Sequence, residues 1–228
     1  MISFFNAINT YTDASLTTDK YGNTVTCSGF ITTFQGKIID QGRLVVVGST
    51  NNYGEIMAIE MGVKNLLSYA GNNAFLNLFS DSEISVMGLK YWIYGWLRDR
   101  DPNTFRLRSS TGQEVANQEV FCNVIDHITK AGIRFNIYHQ RGHKNPNKPF
   151  DVHTVIKTFK RVNGEDIGRD IVQEICRYND VVDVGTRDYL NMIVHSSDYS
   201  PYNYMKKEPV VNRVLTMEQM KVYKNLIA

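Results

Sequence analysis

The order of the predicted secondary structure constrains the fold of this chain most strongly. Three segments rich in β-branched and aromatic residues, 4–13, 24–34 and 37–49, precede the first helical pattern. The turn signals Tyr21-Gly22-Asn23 and Gln35-Gly36 separate these segments. Short turns of this kind join neighbouring antiparallel strands, so the start of the chain predicts a three-stranded antiparallel meander.

Helices and strands alternate after this meander. Helical patterns cover residues 49–71, 82–97 and 115–131, and short apolar runs that suit strands cover 74–80 and 133–138. Three antiparallel strands followed by this alternation predict an α/β fold with a five-stranded mixed sheet flanked by helices. In such a sheet, the first and fourth strands can lie side by side as a parallel pair.

The composition is that of an ordinary globular protein. Of the 228 residues, 43% are hydrophobic and 21% are charged, and the net charge of +2 gives no strongly basic field that would indicate a nucleic-acid partner. Three cysteines without a CxxC pair argue against a zinc ribbon or a disulfide framework and suit a reducing compartment. No run approaches the roughly 18 apolar residues of a membrane span. We therefore expect a cytoplasmic protein without a membrane partner.

Three acidic residues occupy positions where a sheet can bring them together. Asp13 closes the first predicted strand, Asp81 follows the fourth, and Glu55 lies in the first turn of the helix between them. Carboxylates this close repel one another unless cations bind between them, and their hard oxygen atoms select Mg²⁺ or Mn²⁺. Each residue taken singly is typical of a turn or a helix cap. As a set, with Asp183 from a late helix as a fourth member, they predict a two-metal site.

Six blocks, in order along the chain, resemble the motifs of type 1 ribonuclease H. They are YTDAS with Asp13, STNNYGEIMAIEMGV with Glu55, LFSDSEISVMGLKYWIYGW with Asp81, VANQEVF with Asn117, HQRGHKN with His143, and NDVVDVGTR with Asp183. The resemblance covers about residues 8–143 and 179–194. It implies the RNase H-like α/β fold, with a five-stranded mixed sheet of three antiparallel strands followed by parallel strands.

The resemblance also implies an activity and a cofactor. Members of this family hydrolyse the RNA strand of RNA–DNA hybrids with Mg²⁺, for which Mn²⁺ is an expected substitute, and leave 5′-phosphate and 3′-hydroxyl ends. By this matching, two metal ions would be held by four carboxylates, those of Asp13, Glu55, Asp81 and Asp183. His143 would relay protons or ease product release. Asp180 is the nearest substitute for Asp183 as the fourth ligand.

Six further residues are expected to bind the hybrid, again by resemblance: Thr50, Asn51, Asn52, Trp92, Trp96 and Asn117. The amides of Asn51 and Asn52 would read the minor-groove edge and sugar hydroxyls. Thr50 and Asn117 would hold a phosphate of the DNA strand. One of the tryptophans would pack against a DNA sugar, with core packing as the alternative for Trp96.

The sequence departs from the family pattern at several positions. Ala14 stands where the family has Gly, Glu83 where it usually has Gln, and Phe121 where it usually has Trp. The lysine-rich segment that many bacterial members carry after the tryptophan helix is not evident. These departures put fine substrate contacts in doubt but leave the metal ligands in place.

A long insertion separates the fifth and sixth blocks. Residues 144–161 hold five basic residues and one acidic residue, a local net charge of +4. The simpler interpretation is a packed surface helix with solvated lysines. The alternative hypothesis is that Lys157, Lys160 and Arg161 replace the missing lysine-rich segment and bind phosphates of the hybrid.

The predicted organisation is one catalytic domain with additions. The RNase H-like domain covers residues 1–194, with an inserted helical segment at 144–178, and a C-terminal extension covers 195–228. In the insertion we expect helices at about 150–162 and 166–178, followed by a helix at 179–194. The extension would hold a last helix, 217–226, and would either cover the sheet edge or dock a replication partner.

The predicted function has rivals on the same fold. A two-metal DNA nuclease or junction resolvase would use similar carboxylates, and a catalytically inactive hybrid-binding module would keep the fold alone. Thr50, Asn51 and Asn52 favour hybrid recognition, and the intact carboxylates favour catalysis. We expect a monomeric enzyme that removes RNA primers during replication and lacks an N-terminal hybrid-binding module. Its extra segments suit a phage or other mobile genome, in which case it would act in the host cytoplasm.

Overall fold

The first three strands form the predicted antiparallel meander. In the computed structural model, which describes residues 4–69, 75–134, 136–207 and 214–227, these strands are β1 (Ala7–Thr18), β2 (Thr24–Phe34) and β3 (Lys37–Val47). β1 pairs with β2, and β2 with β3, both antiparallel. In the connecting turns, Gly22 and Gly36 have φ angles of +83° and +71°, which glycine adopts without a Cβ clash.

The remaining elements complete a six-stranded mixed sheet. They are α1 (Asn51–Ser68), β4 (Phe75–Ser80), α2 (Glu83–Met87), α3 (Ile93–Arg98), α4 (Gln118–Ala131), β5 (Asn136–His139), α5 (Pro149–Asn163), α6 (Arg169–Val194), β6 (Met205–Lys206) and α7 (Met217–Leu226). The strand order is β5-β4-β1-β2-β3-β6. β1, β4 and β5 are mutually parallel, as predicted. The five predicted strands are confirmed, and the two-residue strand β6 is an addition that leaves no sequence pattern.

Apolar side chains cover both faces of the sheet. On one face α1, α4 and α7 pack together through buried side chains that include Ile59, Val63, Val124, Ile125 and Tyr223. On the other face α5 and α6 pack against buried aromatic residues of the strands, with a cluster that includes Tyr11, Phe79, Tyr138, Phe159 and Ile175. The sheet is thus the middle of three layers, and its edges are left to hold polar sites.

Asp13 does not close the first strand, so that prediction is wrong. The parallel pairing of β1 with β4 stops at Thr12, which is opposite Ser80. The antiparallel pairing with β2 continues to Thr18, so β1 extends beyond Asp13. Asp13 therefore lies inside a strand, one residue past the point where that strand loses one of its two neighbours.

The prediction that one helix ends at residue 178 and another begins at residue 179 is also wrong. Residues 166–178 and 179–194 were expected to form two helices, but α6 runs without interruption from Arg169 to Val194. Its apolar residues are continuous along one face of the helix, which packs on β1 and β2. Helix α5 and the last helix, α7, are confirmed, the latter with Thr216 as its N-cap. The predicted helix stop at residues 71–73 lies outside the described residues.

The C-terminal extension packs on the domain. The Tyr199 hydroxyl donates a 2.8 Å hydrogen bond to Asp19, and β6 pairs in parallel with the end of β3. Among the described residues, β6 therefore covers the outer edge of β3 at Val46 and Val47, which agrees in part with one of the two roles considered from the sequence. No helix in the described ranges is long and apolar enough to cross a membrane.

Candidate metal centre and nucleic-acid surface

Three carboxylates converge at one edge of the sheet. Asp13 comes from β1, Asp81 follows the end of β4, and Glu55 lies in the first turns of α1, whose N-terminus reaches the same edge. One ligand oxygen from each residue lies within 4.8 Å of the other two. The structure thus brings together the three acids that the sequence places on neighbouring elements.

Few hydrogen bonds satisfy these carboxylates. Asp13 Oδ1 accepts a 2.7 Å hydrogen bond from the backbone N–H of Ala14, and Glu55 Oε1 accepts a 3.4 Å bond from the Asn51 amide. Glu55 Oε2 is buried, and no hydrogen-bond partner for it lies among the described residues. A buried carboxylate oxygen without a donor is costly, so Glu55 Oε2 favours a proton or a cation beside it.

The pKa values of the three acids reflect this environment. Burial, together with the neighbouring charges of Asp81 and Asp183, raises the pKa of Asp13 to about 8. Burial and the charge of Asp13 raise the pKa of Glu55 well above its ordinary value. Burial is also the main cause of the raised pKa of Asp81. A hard divalent cation would replace the protons held here, so the oxygen-only donor set and the unpartnered Glu55 oxygen fit Mg²⁺.

Asp183 lies beside this cluster, on α6. Its side chain is mostly buried, and its charge acts on the pKa of both Asp13 and Asp81. Asp183 Oδ2 lies 3.3 Å from the Arg187 guanidinium, one turn further along the helix. Asp180 is exposed on the same helix, and neither it nor Asp183 is one of the three acids whose oxygen atoms lie within 4.8 Å of one another. Of the two, Asp183 is the one whose charge raises the pKa of Asp13 and Asp81.

The loop after β5 places His143 at the same site. His143 Nδ1 is 3.8 Å from Asp183 Oδ2, and its side chain is 76% exposed. Gly142 lies directly against the Asp81 carboxylate, and a Cβ atom at this position would collide with it. Glycine at 142 therefore allows the loop to approach Asp81 and to bring His143 near Asp183.

Sequence reasoning missed three polar residues around this site. Gln140 and Asn179 are buried and hydrogen-bonded to each other, and the Asn179 amide lowers the pKa of Asp81. Arg187 lies close enough to lower the pKa of Asp13. Gln140 and Asn179 both stand inside the quoted motif blocks, so a search for polar residues in those blocks could have found them.

The predicted hybrid-recognition residues cluster at the start of α1. Thr50 is the N-cap of this helix and accepts a 3.2 Å hydrogen bond from Tyr53 N–H. The Asn51 and Asn52 side chains are exposed, and Asn51 reaches Glu55. These polar groups therefore lie next to the carboxylate cluster and are open to a ligand.

A cavity of about 200 Å³ adjoins the start of α1 and is lined by three of the six predicted hybrid-binding residues. Asn52, Trp96 and Asn117 line it, together with Phe121, on which Trp96 packs edge-to-face at 5.2 Å. Trp96 is half-buried, whereas Trp92 is 41% exposed. The core-packing alternative for Trp96 is thus observed in part, and Trp92 presents the more open aromatic surface.

The basic residues of the insertion lie on α5. Lys157, Lys160 and Arg161 are exposed on the last two turns of this helix, whose end reaches β5 where Asn163 bonds to His139. Lys160 forms an exposed 2.8 Å ion pair with Asp166. Both interpretations of the segment remain open, because the helix packs through its apolar face and the charge of Arg161 acts on His139 at the end of β5.

The comparisons with known proteins agree with this geometry. A family model described as RNase H matches residues 6–154, a range that ends inside α5. No curated protein sequence matches the chain. Among solved structures, the chain is similar to the foamy viral protease-reverse transcriptase in complex with dsDNA, with 16% identity, a TM-score of 0.50, and coverage of 72% of this chain and 94% of that chain.

Two further structures show weaker similarity. The foamy viral protease-reverse transcriptase in complex with an RNA/DNA hybrid has 16% identity and a TM-score of 0.49, and the match covers 71% of this chain but only 20% of that chain. LC11-RNase H1 in complex with an RNA/DNA hybrid has 16% identity and a TM-score of 0.39, with coverage of 54% and 77%. At such identities, structural similarity speaks for the fold alone.

The sequence motifs, the sheet topology and the family match lead to one assignment. The order of antiparallel and parallel strands is that of the predicted fold. The matched range includes all three clustered carboxylates and His143, while Asp183 lies beyond it. Because the family model matches well over half of the sequence, this chain belongs to the RNase H family, as its motifs predict.

Proposed function

We propose that this chain is a Mg²⁺-dependent endoribonuclease that hydrolyses the RNA strand of RNA–DNA hybrids and leaves 5′-phosphate and 3′-hydroxyl ends. The observation that carries the proposal is the cluster of Asp13, Glu55 and Asp81, in which a buried Glu55 oxygen has no donor among the described residues. In a member of the RNase H family, a cluster that requires a cation supports catalysis over an inactive binding module.

The chain's own residues have distinct roles in this proposal. Asp13, Glu55, Asp81 and Asp183 would hold the metal ions, with Mn²⁺ as an acceptable substitute. Bound Mg²⁺ would supply activation of the attacking water and stabilisation of charge on the departing 3′-oxygen. The exposed imidazole of His143, 3.8 Å from Asp183, can exchange protons with solvent at the edge of the site.

Recognition of the hybrid would come from the start of α1. The amides of Asn51 and Asn52 are exposed beside Glu55, where they can contact sugar hydroxyls and minor-groove base edges. The 2′-hydroxyl is the group that separates RNA from DNA, so contacts to it would select the strand to be cut. An RNA primer paired with template DNA is one hybrid of this class, which is our basis for proposing primer removal.

Cleavage assays on four substrates test the proposal. A labelled RNA–DNA hybrid, a primer-like RNA–DNA junction, duplex DNA and single-stranded RNA are offered with Mg²⁺, with Mn²⁺ or with a chelator. We expect cleavage of RNA paired with DNA only, dependent on the metal and abolished in Asp81→Asn. Cleavage of duplex DNA would instead support the DNA nuclease or resolvase, and tight hybrid binding without cleavage would support the inactive module.

The basic end of α5 gives a second test of hybrid binding. If Lys157, Lys160 and Arg161 contact phosphates, replacing all three with Gln should reduce the slope of log affinity against log salt by up to about 2.7, at about 0.9 per lost contact. The measurement is hybrid affinity over a salt series, with exposed Lys221 and Lys224 of α7 replaced by Gln as a control for the loss of positive charge away from α5. An unchanged slope would leave these residues as solvated surface charges.

A further inference from the structure

The C-terminal extension brings a lysine to the proposed nucleic-acid surface. β6 pairs with the end of β3, and the backbone N–H of Lys207 donates a 3.2 Å hydrogen bond to the carbonyl of Val47. Val47 is followed after two residues by Thr50, the N-cap of α1. The extension is thus fixed against the sheet at the point where β3 leads into the helix that carries Glu55.

The Lys207 side chain is held by contacts that leave its charge unneutralised. Its Nζ donates a 2.9 Å hydrogen bond to Asn117 Oδ1 and lies 4.9 Å from the centroid of the Tyr53 ring. No ion pair among the described residues involves Lys207. The ammonium group is therefore a half-buried cation with a neutral amide and an aromatic ring as neighbours.

The Asn117 side chain does not stabilise the helix that follows it and instead lines a cavity. Asn117 precedes α4 with a φ angle of +58°, and its side chain does not cap that helix. Asn117 and Asn52 line the same cavity of about 200 Å³. The Lys207 ammonium group thus bonds to an amide that lines this cavity, and an ammonium group beside an amide is a donor set that suits a backbone phosphate.

The family motifs already predict that Asn117 holds a backbone phosphate, and we propose that Lys207 of the C-terminal extension supplies a cation to that phosphate site. This inference rests on the proposed function, because it assumes a nucleic-acid substrate. It assigns the C-terminal extension a direct part in substrate binding. It also supplies a basic contact in a chain that lacks the lysine-rich segment after the tryptophan helix.

The test compares two adjacent lysines by their effect on hybrid binding. All proteins carry Asp81→Asn to prevent cleavage. Lys207→Met keeps the aliphatic stem over Tyr53 and removes the charge, while Lys206→Met is the matched control. Lys206 ends β6 and Lys207 directly follows it, and Lys206 is exposed, with its Nζ 5.0 Å from the Tyr202 ring centroid rather than beside Asn117.

We expect Lys207→Met to bind the hybrid about tenfold more weakly at low salt, since a charged hydrogen bond to phosphate is lost. The slope of log affinity against log salt should become less steep by about 0.9. The hybrid affinity of Lys206→Met should stay within about twofold of that of the parent, and Lys207→Arg should keep the salt slope of the parent. Single methylphosphonates along each strand should locate one phosphate whose neutralisation weakens the parent but not Lys207→Met.

Two results overturn the inference, and they can be told apart. If the protein with Asp81 intact cleaves the hybrid but Lys207→Met and Lys206→Met have the same salt slope, the inference fails alone. A lowered thermal midpoint of Lys207→Met with that unchanged slope would assign Lys207 a purely structural role and also contradict the inference. If the protein neither binds nor cleaves the hybrid, the proposed function fails first.

Discussion

Two sets of polar side chains lie along or next to the parallel strands β1 and β4, and they are built in opposite ways. Asn9, Asn77 and Asn136 stand side by side on β1, β4 and β5. Asn136 donates a 2.8 Å hydrogen bond to Asn77, and Asn77 donates a 2.9 Å bond to Asn9. At the carboxyl end of β4, and four residues further along β1, the clustered carboxylates face one another without such donors.

The two sets differ in whether their polar atoms already have hydrogen-bond partners within the protein, and this difference distinguishes a structural set from a functional one. The asparagine row satisfies itself, because each amide is both a donor and an acceptor, and Asn9 also donates to the carbonyl of Phe4. Carboxylates can only accept when ionised, so their cluster depends on protons or a cation from outside. A buried polar group that the protein leaves unsatisfied is thus the better indicator of a ligand site.

The largest expected effect is on activity. Glu55→Gln should reduce hybrid cleavage roughly a thousandfold or more, because an anionic metal ligand is lost. The matched control is Glu60→Gln on the same helix. Glu60 is equally buried but pairs with Lys64 at 2.7 Å and lies 3.4 Å from His127, so its loss should leave the rate per folded molecule within about threefold. Equal losses in the two variants would contradict the comparison.

The next effect is on stability. Asn77→Leu removes the central amide of the row and leaves a buried acceptor on Asn9 and a donor on Asn136 unpaired. We expect the free energy of unfolding to fall by about 2–4 kcal/mol in urea titrations. Asp81→Asn, measured with chelator, should match or exceed the stability of the parent, since it removes one of the repelling charges. A destabilised Asp81→Asn would show that the acids already support the fold without metal.

Mg²⁺ should stabilise the folded protein by binding to the carboxylate cluster and not to the asparagine row. At a free ion concentration about 100-fold above its dissociation constant, binding should add about 2.7 kcal/mol to the free energy of unfolding. Asn77→Leu should keep this increment, whereas Asp81→Asn should lose most of it. The readout is the urea midpoint with Mg²⁺ and with chelator. An increment retained in Asp81→Asn would place the ion elsewhere.

The last effect is a pH dependence of the metal-free protein. The folded pKa of Asp13 is raised to about 8, above its unfolded value near 4. The folded state therefore binds more protons between these values, and this group's contribution to stability is lost as the pH rises from about 4 to about 8. Thermal midpoints of the chelated parent should decline over this range more than those of Asp13→Asn. Parallel curves would contradict the raised pKa.

The fold was largely predictable because its signals are local. The β-branched runs of β1 to β3, the turn glycines and the apolar spacing of α1 each lie within a few consecutive residues. The predictions failed where pairing partners decide the boundary. β1 continues past Asp13 because β2 still pairs with it, and the long α6 is continuous because its apolar face packs on two strands. Neither partner can be read from the segment itself.

The residues of the candidate site likewise include some that the sequence predicts and some that only the structure identifies. Asp13, Glu55 and Asp81 could be found from their places on the predicted elements, and family motifs added Asp183 and His143. The asparagine row could not be found, because register alone aligns its three members across separate strands. The choice of Asp183 over Asp180 likewise depends on how α6 is rotated against the sheet.

By itself, the sequence determined the order of the elements, the RNase H family and the acids of the cluster, because periodicity, turn residues and motifs are written in short stretches of chain. Only the tertiary structure decided which polar groups are left unsatisfied and which distant residues meet. Lys207 and Asn117 are 90 positions apart, and their contact exists because β6 adds to the edge of β3 beside α1. Such contacts arise from packing across the whole sheet, so no local pattern encodes them.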